Sequence, residues 1–324
     1  MRIKIFSKWT IGISLVMVLF LSCRKGDGGG SGNGGPGNGL SGHIYYEFAD
    51  NGVSRLDPPG FESTLFLQEQ SKRNGWDVSY DNQYKLEAST ILHNYDDIQF
   101  TLSKISDGSI VSQFVYSPLN GGSNYQSGSL SPDGKLIGIP ASFDEGIVIL
   151  NTSGELIAHI EGINGEKFER HSAMYWLPNN GLVVAHKKNI IRIDPPYTSG
   201  KLIKEMNYTE WGDLAVNREG TKMALVIDKH IHMMDMDGNN LAQVTDSKFA
   251  ESGPEFSPDG RHLLVVSNYR QSGVFGFLGN LKIVPADGKK YNVDPVYENS
   301  PEVIPVILPG EDGPEAADGR QRWR

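Results

Sequence analysis

The side chains that could do chemistry in this 324-residue chain are few and scattered. It has eight histidines and one cysteine. His230 and His232 lie two apart, so on a strand they share one face and could chelate a metal together. Asp235, Asp237 and Asn239 around Gly238 faintly resemble a calcium loop, but the later acidic ligand is missing and a hairpin turn accounts for them. Gly30, Gly32 and Gly35 have the spacing of a dinucleotide fingerprint. No strand pattern precedes them and no helix pattern follows, so that match is set aside. No hydrolase elbow, HExxH, phosphate loop or paired carboxylates with usable spacing occur. The reading therefore expects no catalytic set, no metal and no cofactor.

A second group stands out only through its spacing to a repeated turn. Ser257-Pro258-Asp259-Gly260 combines a proline that presets φ, an aspartate that bonds its own backbone and a glycine free to turn left-handed. The apolar run HLLVV follows, then LKIV ending at Asp287-Gly288, then KYNV. Ser131-Pro132-Asp133-Gly134 and Asn217-Arg218-Glu219-Gly220 repeat the pattern, and Leu177-Pro178-Asn179-Asn180-Gly181 is a degenerate copy. The turn glycines at 134, 181, 220 and 260 stand 47, 39 and 40 residues apart. Four strands at a period of about 40–45 residues mark propeller blades. These motifs resemble those of the TolB-like and WD40-like β-propellers over residues 43–308. The resemblance implies an all-β fold with rigid blades that aim loops at the channel mouth.

A further unit at residues 75–117 and a partial one beginning at His43 bring the expectation to six four-stranded antiparallel blades. The ring would be closed by strands from both termini, with residues 303–308 supplying the missing innermost strand. The tail at 309–324 is polar and aperiodic and is expected to be disordered. Counting about nine residues back from each turn selects Gln126, His171, Trp211 and Glu251, with Trp76 in the first full blade. If the repeats superpose, these five form a channel-mouth ligand or sugar site. Some TolB-like propellers resemble lyases that hold a metal with channel histidines, but His230 and His232 fall on a third strand, away from the channel. One blade is longer than its siblings. Its excess, residues 269–279, carries Tyr269, Val274, Phe275, Phe277 and Leu278 and is the expected interaction loop.

The N-terminus points to an address. Arg2, Lys4 and Lys8 precede the apolar run 11–21, too short for a comfortable membrane span and placed as in an export signal. It ends at Ser22-Cys23, which resembles a lipoprotein signal: residues 1–22 would be removed and Cys23 acylated. The Gly-rich stretch within residues 23–42 would then act as a flexible tether. The net charge of −9 and the lack of a basic cluster argue against a nucleic-acid partner. The sequence thus reads as a lipid-anchored, exported module of the cell envelope, with the outer membrane favoured and its face open. A non-catalytic scaffold with an envelope protein partner leads. A polysaccharide-acting lyase or hydrolase, or a sugar-binding module using Trp76 and Trp211, is the alternative.

Overall fold

The computed structural model describes residues 39–324 except 49–50, 92–93, 121–126, 143–144, 169–171, 273–275 and 295–298. Residues 1–38, which include Cys23 and the expected export signal, lie outside the described residues.

The chain folds as six small antiparallel sheets in sequence order. Blade 1 holds β1 (Ile44–Glu47), β2 (Val53–Asp57) and β3 (Glu62–Leu67). Blade 2 is β4 (Arg73–Val78), β5 (Tyr84–Ile91), β6 (Asn94–Lys104) and β7 (Ile110–Tyr116). Blade 3 is β8 (Ser129–Leu130), β9 (Leu136–Ile139), β10 (Ile147–Asn151) and β11 (Leu156–Ile160). A short hairpin of β12 (Gly162–Ile163) and β13 (Glu166–Lys167) follows. Blade 4 is β14 (Ala173–Trp176), β15 (Leu182–His186), β16 (Asn189–Ile193) and β17 (Gly200–Glu205). Blade 5 is β18 (Trp211–Val216), β19 (Lys222–Ile227), β20 (His230–Asp235) and β21 (Ala242–Gln243). After β22 (Thr245–Asp246), blade 6 is built from β23 (Ala250–Phe256), β24 (His262–Ser272) and β25 (Gly276–Pro285). The last strands are β26 (Tyr291–Asn292), β27 (Ile304–Pro305), β28 (Ala316–Ala317) and β29 (Gln321–Trp323).

The repeated turn works as its residues suggest. Ser131 and Ser257 each donate their Oγ to the aspartate two residues on, at 2.7 Å, and accept the amide five residues on at 2.9 Å. Gly134, Gly220 and Gly260 have φ of 68–69°. In blade 4 the left-handed residue is Asn180 (φ 60°), not Gly181, and in blade 2 it is Asn82 (φ 57°). Asparagine tolerates this conformation better than most residues, so the turn survives without its glycine.

Each seam between neighbouring blades holds one apolar cluster. The seam between blades 6 and 1 joins Leu264, Val266 and Leu281 to Ile44, Leu56 and Trp323. Trp323 belongs to the tail that sequence reading leaves disordered, and that expectation is corrected here. β29 pairs antiparallel with β1 (Ile44 opposite Trp323) and supplies the innermost strand of blade 1. The ring is therefore closed by both ends of the chain, but through 321–323 rather than 303–308. Ile304 and Pro305 instead form the outer strand of blade 6, where an edge tolerates proline. Tyr291 and Asn292, expected on that outer strand, pair in parallel with β22.

Lys282 of β25 is fully buried, and its Nζ donates to the carbonyls of Val293 (2.9 Å) and Asp294 (2.6 Å) and to Asn299 Oδ1 (2.6 Å). Burial pulls its pKa down to about 8, although Asp294 and Glu251 act to raise it. The folded protein therefore gives up this proton at lower pH than the unfolded chain does. Stability should rise with pH from about 8 to about 10, by up to about 1.4 kcal/mol per unit. Urea midpoints across that window should show the slope in the native chain, and it should be absent in Lys282→Met.

Candidate functional site

The innermost strands β4, β8, β14, β18, β23 and β29 line the central channel. Residues two apart on a strand share a face, so Arg320, Arg322 and Arg324 all turn inward while Gln321 and Trp323 are buried on the other side. Arg322 Nε lies 2.7 Å from Asp77 Oδ1, and its other end is 3.5 Å from Glu255 Oε1. Arg324 reaches Glu255 at 3.4 Å, donates to the Val78 carbonyl at 3.0 Å and stacks 4.2 Å over the Tyr80 ring. Arg320 donates to the Trp76 carbonyl at 2.5 Å and to Ser127 Oγ at 2.9 Å. Asp77 also accepts the Leu130 amide at 2.7 Å, tying blade 2 to blade 3.

This ladder sets the charge states. Burial alone would raise Asp77, but Arg322, Arg324 and Arg320 overcome it and hold the carboxyl below its usual range. Burial pushes Tyr80 and Tyr175 up, away from ionisation. The ladder is a fastener: it binds the closing strand to blades 2, 3 and 6 through charge-assisted hydrogen bonds in a water-poor setting.

Cavities lie around and beside it. One of about 70 Å³ lies toward the repeated turns, between Tyr80, Tyr175, Arg218 and Glu255. The mouth at the opposite end is a cavity of about 490 Å³ lined by Met174, Tyr175, Asp213, Pro254, Tyr269 and Arg320. Beside it, sharing Ala173, Tyr175 and Asp213, is one of about 400 Å³ that Trp211, His186 and Ser172 also line. Asp213 stands between the two on a bulge of β18, with φ 42°. Such strain in a non-glycine residue is characteristic of functional sites.

Of the five residues chosen by spacing, the three that are described, Trp76, Trp211 and Glu251, are not brought together. Trp76 is 1% exposed, packed in the seam between blades 1 and 2 with its Nε1 donating to Glu47 Oε1 at 2.6 Å. It offers no stacking face, which corrects the expected Trp76–Trp211 pair. Glu251 is also 1% exposed. Its carboxylate meets His230 Nδ1 at 2.6 Å and accepts from Thr245 (2.9 Å) and Ser247. That network joins β23 to blade 5 and leaves Glu251 outside the mouth lining. Trp211 does line a cavity. Gln126 and His171 lie outside the described residues. His230 is engaged by Glu251, while His232 Nδ1 faces the His230 carbonyl at 3.1 Å. Among the described residues no three His, Cys, Asp or Glu side chains gather as a metal-binding group.

The expected interaction loop is mostly strand. β24 and β25 run on past the blade, pairing Arg270 with Leu278 and Gln271 with Phe277. β28 pairs against the same extension at Gly279 and Asn280. Tyr269 lines the mouth, Leu278 is half-buried, and Val274 and Phe275 lie outside the described residues.

Counting nine residues back reached the start of the inner strand in blades 5 and 6, at Trp211 and Glu251. Counting five back from the left-handed turn residue gives Asp77, Ser129, Tyr175 and Glu255, all of which line the channel. Blade 5 breaks this rule because the bulge of β18 shifts its register.

No protein-family model matches the sequence, and no curated protein matches it. Solved structures do resemble it. TolB from Acinetobacter baumannii superposes with a TM-score of 0.55 at 20% identity, over 77% of this chain and 62% of that one. A protein described as TolB from Agrobacterium tumefaciens gives 0.51 at 16% identity, over 77% and 86%. The fold is that of a TolB-like six-bladed propeller. The chain spans about three fifths of the Acinetobacter protein's length. A nidogen/laminin complex matches comparably, at 0.52 and 11% identity over 70% and 85%. At these identities the likeness is one of fold, and it names neither ligand nor partner.

Proposed function

We propose that this chain is an exported, membrane-tethered propeller that acts by binding, holding a protein of the cell envelope at its channel mouth. One observation carries the reading: the β24–β25 hairpin outgrows its blade beside the mouth, and its Tyr269 lines the 490 Å³ cavity. A rigid blade edge that rises beside a concave site suits a docking protein, because rigid scaffolds position binding segments at little entropic cost. The signal-like N-terminus, Cys23 and the Gly-rich tether support the address. Likeness to TolB propellers adds the scaffold that such a module needs.

A sugar ligand is the second reading, favoured by Trp211 in the neighbouring cavity. In either case the docking face is the mouth end rather than the turn end.

The test is in-cell photo-crosslinking of the full-length protein from the exposed Gln271, with Lys135 on a turn at the other end as control. One dominant protein adduct from position 271 and none from 135 is expected. Equal capture at both positions, or none in cells where other envelope proteins crosslink well, overturns the reading. Cys23→Ala should release the protein from the membrane fraction.

A further inference from the structure

We infer that Ser172, His186 and Glu166 form a serine-type acyl-transfer site, independent of docking, that cleaves esters of short acyl groups in the 400 Å³ cavity beside the mouth. Ala173 and Ala185 are strand partners of β14 and β15, so Ser172, directly before β14, comes opposite His186 at the end of β15. Ser172 Oγ lies 2.7 Å from His186 Nδ1, within reach for general-base activation of a nucleophile. On the far side of the ring, Glu166 Oε2 lies 3.8 Å from His186 Nε2. At that distance it acts on the imidazole as a charge and favours the imidazolium that proton transfer creates. Phe168 meets the ring edge-on, centroids 5.3 Å apart and planes at 83°, and fixes its orientation. Ser172 and His186 are only 3% and 2% exposed, yet both line the cavity, so they react in a setting poor in water.

The remaining lining defines the substrate class. Ala173, Ala185, Tyr175 and Trp211 make walls suited to a short, uncharged acyl group, and the shared border with the mouth leaves a path for the alcohol portion. Lys187 lines the same cavity and carries the positive charge that a tetrahedral oxyanion needs. In the first step Ser172 Oγ bonds to the ester carbonyl carbon while its proton passes to His186 Nδ1. Collapse breaks the bond to the alcohol oxygen, which leaves with that proton. Water then adds to the acyl-serine with His186 again as base, releasing the carboxylic acid and restoring the serine. Of the charged groups around the site, Glu166 faces the imidazole, and Lys187 and Asp213 line the same cavity.

The full-length protein in detergent is treated with a fluorophosphonate probe, and labelled peptides are read by mass spectrometry beside p-nitrophenyl acetate turnover. Labelling at Ser172 is expected, lost in Ser172→Ala together with at least about 100-fold of the turnover. Glu166 is a positioning residue on an exposed hairpin, so Glu166→Gln should fold normally. By removing a negative charge beside the imidazolium, it should move the acid limb of the pH–rate profile, where His186 must lose its proton to act as base, to lower pH. An unlabelled native protein with an intact melting transition overturns the proposal, as does turnover that persists in Ser172→Ala.

Discussion

Deleting residues 319–324 is expected to abolish the cooperative fold, although those residues read as a polar tail. The deletion removes all of β29, and with it Trp323, which is 1% exposed in the seam between blades 6 and 1. It also strips the partner from β1, whose Ile44, Tyr45 and Tyr46 are buried. A tryptophan of this kind buries on the order of 200 Å², worth roughly 5 kcal/mol at the usual area coefficient. That loss, with an opened ring and an unpaired inner edge, rivals the whole stability of an ordinary domain, about 5–15 kcal/mol. Urea titration followed by tryptophan fluorescence, with size-exclusion chromatography, should show a broad transition and aggregated material. A sharp transition within about 1 kcal/mol of the native chain would contradict the closure described above.

Arg322→Met should have the second-largest effect, because it leaves Asp77 buried without its nearest counter-charge. Breaking one side of a buried ion pair typically costs about 3–5 kcal/mol. The double variant Arg322→Met with Asp77→Asn should recover part of that loss, since the two residues act as one unit. The pH dependence has a definite sign. Asp77 is held below its ordinary carboxylate range in the folded state, so its contribution is fully present above about pH 4 and is lost as pH falls through the lower folded value. Without Arg322 the folded pKa moves up and the acid limb of the stability curve should shift to higher pH. Arg324 and Arg320 remain, so the shift should be partial. Urea midpoints between pH 3 and 7 measure it. An unchanged acid limb would mean that Arg322 does not set the charge of Asp77.

How much was legible follows from which interactions are local. Ser257, Asp259 and Gly260 build their turn from hydrogen bonds within five residues, so the motif carries its own geometry wherever it recurs. Asn180 and Asn82 show the margin of that rule: the left-handed position was recognised by its glycine, and asparagine filled it unseen. The candidate site was less accessible. Glu251 and Trp76 are polar or aromatic residues on innermost strands, which is how mouth residues look in one dimension. Whether each faces channel or seam depends on strand parity and bulges, and a one-residue shift reverses the face.

By itself the sequence determined the repeat, the all-β class and the six blades, because these rest on short-range turn chemistry and on hydrophobic period. Only the tertiary structure decided that Arg320, Arg322 and Arg324 belong to the inside. Three arginines on alternate positions of a tail read as solvated surface unless Asp77 and Glu255, some 70 to 245 residues away in sequence, are known to face them. Charge complementarity across a closed ring is a long-range property. It exists only once both ends of the chain have met.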